Sequence, residues 1–251
     1  MSYTIVTDSC SNLPESIIDE YDLVVLPMVF MVDGKEYTSY LKGEVTDLKQ
    51  FYTMMREGKV ITTSLPNQME ARKTIASLLE AGSDVLYLGF SSALSSTYEA
   101  IKILCDDLAN DYPERTLMTV DTLAASMGEG LMVVKAAERK NQGASIEELH
   151  DWVQNNRLNY CHWFTVDDLN HLKRGGRVSP ATAFFGTMLN IKPVLHVDDE
   201  GHLIPMGKVR GRKASLDALV DHMAQTAINP KEQVIFISHG DSEADAKYVA
   251  D

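Results

Sequence analysis

Hydroxyl side chains crowd two short stretches of this chain, TTSLP at 62–66 and FSSALSSTYEA at 90–100, and each lies where a β-type run hands over to a helical pattern. At a helix start the first backbone amides lack intrahelical partners, and Ser or Thr hydroxyls beside them complete a small anion site. Two such starts facing each other in one α/β domain would hold a carboxylate or phosphate with neutral donors. Thr63 and Ser95 are the first choices as anion ligands, with Ser64, Ser92, Ser96 and Thr97 in support. A third polar turn, Asp8 to Asn12, adds Asp8 and Ser9. Taken singly, each hydroxyl also reads as an ordinary N-cap.

Other chemistries find less support. A nucleophilic serine needs a base and sits best on a strained turn such as Gly-x-Ser-x-Gly, which is absent. His150, His171, His202 and His222 lie in polar settings, while His162, His196 and His239 lie in or beside apolar strands, where a satisfied imidazole is the simpler reading. There is no Walker loop, no GxGxxG fingerprint and no His-x-x-x-His pair, and Gly128-Glu129-Gly130 falls inside a helical pattern, where small residues permit close packing. Arg174, Arg177, Arg210, Arg212 and Lys213 stand out in an acidic chain. Arginine suits bidentate contact with carboxylate or phosphate, on a ligand or a protein partner, and equally suits internal salt bridges on a solvated turn. The apolar stretch ATAFFGTMLNIKPVL at 181–195 reads as core or as the wall of a channel for an acyl chain.

The elements that must position these residues alternate through the first 160 positions. Strands are expected at Tyr3 to Thr7, Leu23 to Met31, Val85 to Phe90 and Leu117 to Val120. Helices are expected at Leu13 to Glu20, Asp47 to Glu57, Gln68 to Ala81, Tyr98 to Asn110 and Leu123 to Asn141. That alternation predicts a largely parallel sheet flanked by helices. Asn67 with Glu70, and Ser145 with Glu148, read as capping boxes, and Gly82 and Gly143 suit helix ends. Beyond about residue 160 the pattern changes. A strand at His162 to Val166 precedes the basic turn LKRGGRVSP at 172–180. Ser179-Pro180 then opens a helix through Leu189, Asp198 to Gly201 marks a hairpin, and a helix at Ser215 to Thr226 leads to a strand at Gln233 to Ser238. We therefore expect two domains, 1–160 with the anion-binding loops and 161–251, an α/β domain with a mixed sheet and the apolar tail-binding region. The last residues, SEADAKYVAD, start a helical pattern without a terminator, so further residues are expected beyond it.

With 23 Lys plus Arg against 36 Asp plus Glu the 251-residue chain carries a formal charge of −13, which disfavours nucleic acid and bulk membrane as partners. Cys10, Cys105 and Cys161 are scattered without Cys-x-x-Cys spacing, as in reduced intracellular proteins. The N-terminus shows no signal-peptide pattern, and the longest apolar run, Leu23 to Val32, is broken by Pro27 and too short to cross a bilayer. A cytoplasmic protein is expected.

Eight pieces of the sequence, in order, resemble the DegV family, whose fatty-acid-binding members are called FakB. They are TDSCSNLP at 7–14, TTSLP at 62–66, SSALSSTY at 91–98, VDTLAASMGEGL at 120–131, LKRGGRVS at 172–179, IKPVL at 191–195, VRGRKAS at 209–215 and ISHGD at 237–241. The resemblance implies two α/β domains holding one long-chain fatty acid, its carboxylate bound by Thr63 and Ser95. It also implies that the acid is handed to a separate ATP-dependent fatty acid kinase that makes acyl phosphate for bacterial lipid synthesis. On that basis the chain is a carrier without catalysis or cofactor of its own, and Arg174, Arg177, Arg210 and Arg212 are left to recognise the kinase or the acyl head. Ser96 stands where the family commonly has Gly, and the family's His-Thr-Gly-Pro-Gly segment has no counterpart before Asp251. The sequence also admits two rival readings: a hydrolase using Ser95, and a module sensing a smaller acidic metabolite.

Overall fold

The computed structural model describes residues 2–44, 47–179 and 190–251. Two compact units divide the chain, Met1–Tyr160 and Cys161–Asp251. In the first unit the order is β1 (Tyr3–Asp8), α1 (Glu15–Glu20), β2 (Val24–Leu26), β3 (Val29–Val32), β4 (Lys35–Thr38), α2 (Leu48–Arg56) and β5 (Ile61–Ser64). It continues with α3 (Gln68–Glu80), β6 (Asp84–Gly89), α4 (Thr97–Asp111), β7 (Leu117–Asp121), α5 (Ser126–Asn141) and α6 (Ile146–Asn156).

Four of these strands form a wholly parallel sheet in the order β2-β1-β6-β7. Every residue of β6 is buried, as a central parallel strand covered on both faces requires. Val6, Val85 and Tyr87 face α3 and α4, where they pack with Ile75, Leu79, Ile101, Leu104 and Leu108. Thr7 faces the other way, toward α5. That alternation sends the two polar residues ending β1 to opposite sides of the sheet.

The apolar run that reads as one strand from Leu23 is two strands in different sheets. Pro27 offers no N–H to a ladder, so the chain leaves the parallel sheet after Leu26 and re-enters pairing at Val29 in an antiparallel sheet, β4-β3-β5. Its hairpin turns on Asp33 and Gly34, whose φ angles of 49° and 83° are both positive, as a two-residue type I′ turn demands.

Helix starts follow local chemistry. Ser145 and Glu148 form the reciprocal capping box at α6, whereas Asn67 caps α3 alone by accepting from the Met69 and Glu70 amides. Helix α5 lies so close to the turn after β1 that a Cβ on Gly130 would stand 2.5 Å from the Ser11 carbonyl oxygen. Gly130→Ala is expected to lower stability by about 2–3 kcal/mol, read as a lower midpoint in urea, because a backbone atom cannot yield as a side chain can.

In the second unit β8 (Trp163–Phe164), β9 (Ile191–Val197) and β10 (Leu203–Arg210) pair antiparallel in the order β10-β9-β8. The other elements are α7 (Asn170–Arg174), α8 (Arg212–Thr226) and α9 (Glu243–Ala250). Leu169 and Leu195 centre a small core with Phe164, Val166 and Leu172. The Trp163 ring lies flat on His222, 3.8 Å between centroids. Gln233 to Ser238, a strand by pattern, pairs with no strand among the described residues, and Val234, Ile235 and Ile237 are exposed. The helix expected from Ser179-Pro180 to Leu189 lies outside the described residues after Ser179.

Candidate functional site

In the parallel sheet, β1 connects to β2 on one side and is flanked by β6 on the other, so the strand order reverses between β1 and β6. Open α/β sheets bind ligands at the carboxyl ends of strands beside such a reversal. The two loops that leave those ends here are the Asp8–Asn12 turn and the Phe90–Ser96 loop, two of the three hydroxyl-rich stretches.

Asp8 ties the two together. Its Oδ1 accepts from the Cys10 amide at 3.0 Å, and its Oδ2 accepts from the Phe90 amide at 3.0 Å and the Tyr87 hydroxyl at 2.9 Å. Burial pushes its carboxyl above the usual carboxylate range, and the two amides and the Tyr87 hydroxyl pull it back. Tyr87, fully buried and beside Asp8, is raised well above the ordinary tyrosine range, first by burial and then by that charge. These bonds make Asp8 a brace under the loops.

Ser9 begins the next layer. Its Oγ accepts from the Met28 amide at 2.9 Å and lies 2.6 Å from Ser39 Oγ, while the Ser39 amide donates to the Met28 carbonyl. Thr97 Oγ1 lies 3.7 Å from Met28 Sδ and 2.8 Å from Ser95 Oγ. The interruption of strand pairing at Pro27-Met28 thus brings the Ser9 turn and the Ser95–Thr97 helix start to one residue. Ser95 Oγ also accepts from the Thr97 amide at 3.3 Å, so Ser95, one residue before the N-cap Ser96, holds the first amide of α4 as well as being a candidate ligand. Ser96 is exposed and makes no side-chain cap bond, and Thr97 is buried. Ser92 is held through its amide by Asp121 Oδ1 at 3.3 Å.

Thr63 and Ser64 end β5, paired with Phe30 and Val29. Ser64 is therefore beside the residue that follows Met28. Thr63 belongs to the opposite face, with its cross-strand neighbours Phe30 and Tyr37. Those rings stack at 5.3 Å, and Phe51 from α2 meets Phe30 edge-on at 5.2 Å. The exposed Thr63 hydroxyl shares that face with half-buried Phe30 and exposed Tyr37, while α2 buries none of its residues.

The loop after β7 is drawn against the Phe90–Ser96 loop in an unusual backbone. Leu123 and Ser126 both have φ of 52°, uncommon for residues with a side chain. The strain is held by Leu123 N donating to Asp121 Oδ1, Thr122 Oγ1 donating to the Gly89 carbonyl, and Ser91 N donating to the Ala124 carbonyl. Backbone strain of this kind gathers where a site is preorganised.

The arginines are in the second unit. Arg174 ends α7, and Arg174 and Arg177 are exposed, the latter bonded to the Gly175 carbonyl. Arg210 ends β10 and is exposed, whereas Arg212 is committed to Asp245 at 2.7 Å. Residues 181–189 of the apolar stretch lie outside the described residues. Sequence reasoning passed over Met28, Ser39, Tyr87 and Glu129. Of these Glu129 carried a signal, since it holds the inward position of α5 together with Met132, Val133, Ala136 and Ala137. Among the described residues no group of three or more His, Cys, Asp or Glu could hold a metal ion, and no helix is long and apolar enough to cross a membrane.

A two-unit α/β protein with hydroxyl loops at the reversal point of a parallel sheet is the class that fold and site define. Residues 2–251 match the family model described as "Uncharacterised protein, DegV family", and the chain belongs to the DegV family. A DegV domain-containing protein of Clostridium perfringens is 41% identical over 249 residues, 99% of this chain and 85% of that protein. Among solved structures, a fatty-acid-binding DegV family protein from Thermus thermophilus is similar, at 33% identity and a TM-score of 0.78 over 91% of this chain and 79% of that one. So is a DegV lipid-binding protein from Thermotoga maritima, at 30% identity and a TM-score of 0.78 over 90% and 78%.

Proposed function

We propose that this protein binds a long-chain fatty acid, with the carboxylate on the hydroxyl loops of residues 1–160, and presents it in the cytoplasm to a separate fatty acid kinase for acyl-phosphate formation. The observation that carries the binding is the meeting of the Ser9 turn and the Ser95–Thr97 helix start at Met28, beside the β1–β6 reversal. Hydroxyls and helix-start amides orient a carboxylate and offset its desolvation without neutralising it. Thr63 adds a hydroxyl on a face shared with aromatic rings, a suitable boundary between an acid head and an apolar tail. Fatty acid binding by the Thermus thermophilus relative supports the same ligand class.

The surroundings of Ser95 support carriage rather than hydrolysis. Among the described residues the partners of its Oγ are the Thr97 hydroxyl and amide, neither of which is a base for the proton that a nucleophilic serine must lose. Activation of the acid is then the work of another protein, and exposed Arg174, Arg177 and Arg210 offer it a basic surface.

Chain-length dependence tests this reading. Each buried methylene contributes about 0.8 kcal/mol, so affinity of the delipidated protein for saturated acids is expected to rise about fourfold per added carbon between octanoate and myristate. Equal affinity for short and long acids would replace the reading with that of a small-metabolite sensor.

A further inference from the structure

Two carboxyl groups lie beneath the hydroxyl loops in unequal surroundings. Asp8 accepts hydrogen bonds from two backbone amides and from the Tyr87 hydroxyl. Glu129, 0% exposed, accepts one bond, from Thr7 Oγ1 at 3.1 Å, and its Oε2 has no partner among the described residues. A carboxylate is tolerated away from water in proportion to the donors that replace its hydration. Three donors favour charge on Asp8, and one donor favours a proton on Glu129.

We propose that Glu129 is a positioning residue that stays a neutral carboxylic acid, so that the floor of the anion site carries the charge of Asp8 alone. The geometry gives it leverage. Thr7, which donates to Glu129, is followed directly by Asp8 and Ser9, and α5 presses on the same turn at Gly130. A second negative charge there repels an incoming carboxylate and forces the Thr7 and Asp8 contacts to rearrange.

The titratable groups that face Glu129 reinforce the effect. Asp8 from β1 and Asp121 from the end of β7 both favour its protonated form, after burial, which is the largest cause, and the Thr7 hydrogen bond opposes them. Tyr87 from β6 is itself held protonated by burial and by Asp8, and Cys10 follows on the turn. The folded-state pKa of Glu129 is thus raised well above its unfolded value, so the stabilisation it gives is complete below the ordinary glutamate range and is lost as pH rises through the folded value.

This inference rests on the fatty-acid reading, and Glu129→Gln tests it on the full chain with oleate as the probe. The amide keeps the shape and the acceptor for Thr7 but cannot ionise. Oleate affinity of the unaltered protein is expected to fall about tenfold over the pH range in which Glu129 loses its proton, while E129Q shows no such fall. The ionisation of oleate itself is common to both proteins. In infrared difference spectra at neutral pH, a protonated-carboxyl band present in the unaltered protein should be missing from E129Q. Identical pH profiles, or no such band, overturn the inference while leaving oleate binding intact. Failure of both proteins to bind oleate at any pH overturns the fatty-acid reading, and the inference with it.

Discussion

Asp8→Ala should lower the stability of the protein by about 3–5 kcal/mol, the largest effect of any single substitution at the site. The change strips an acceptor from the Cys10 amide, the Phe90 amide and the Tyr87 hydroxyl, all at the buried end of the parallel sheet. Each buried donor left unmade costs about 1–3 kcal/mol, and relief from burying the Asp8 charge offsets part of the sum. Asp8→Asn is expected to cost about 2 kcal/mol, since an amide oxygen still accepts while its NH₂ faces donors. Urea unfolding reads both. Equal midpoints for the alanine variant and the unaltered protein would mean that Asp8 braces nothing.

The second large effect concerns the ligand. Ser95→Ala combined with Thr63→Val removes the two hydroxyls assigned to the acid head, and oleate affinity is expected to drop about 100-fold. Hydrogen bonds to a charged group contribute about 1.5–3 kcal/mol each. Stability should change much less, by about 1 kcal/mol, chiefly because Ser95 Oγ also accepts from the Thr97 amide at the start of α4. A large loss of affinity with an almost unchanged midpoint separates recognition from folding. Retained affinity would move the head group away from these loops.

Much of this architecture was written in local pattern. The strands at Tyr3, Val85 and Leu117 and the helices between them follow from apolar periodicity, and Ser145 with Glu148 announced the cap of α6. The antiparallel sheet was harder to read. Lys35–Thr38 is a polar edge strand with no apolar run, and the signal for it is the Asp33-Gly34 turn rather than the strand itself. Leu23 to Met31 reads as one strand although Pro27 interrupts it, and the missing proline N–H is what divides it between two sheets.

The candidate site shows the same division. Hydroxyls beside helix starts are visible residue by residue, so Thr63, Ser95 and Ser9 stood out. Their relation to one another depends on Met28 and Ser39, whose contacts arise from where two sheets part, a matter of tertiary packing. Glu129 was passed over because glycines on either side suggested close packing. That suggestion fits Gly130 against Ser11, yet the acid between them is buried too. Gln233 to Ser238 makes the converse point, since its strand-like pattern meets no partner among the described residues.

If an acyl chain is the natural ligand, as we propose, it travels with the purified protein. Organic extraction of the purified protein, followed by mass spectrometry of the extract, tests it most directly. One long-chain fatty acid species, or a narrow set of them, at close to one per protein chain is the expected result. An extract without any acyl chain, from a protein that also takes up no added oleate after delipidation, would contradict the account.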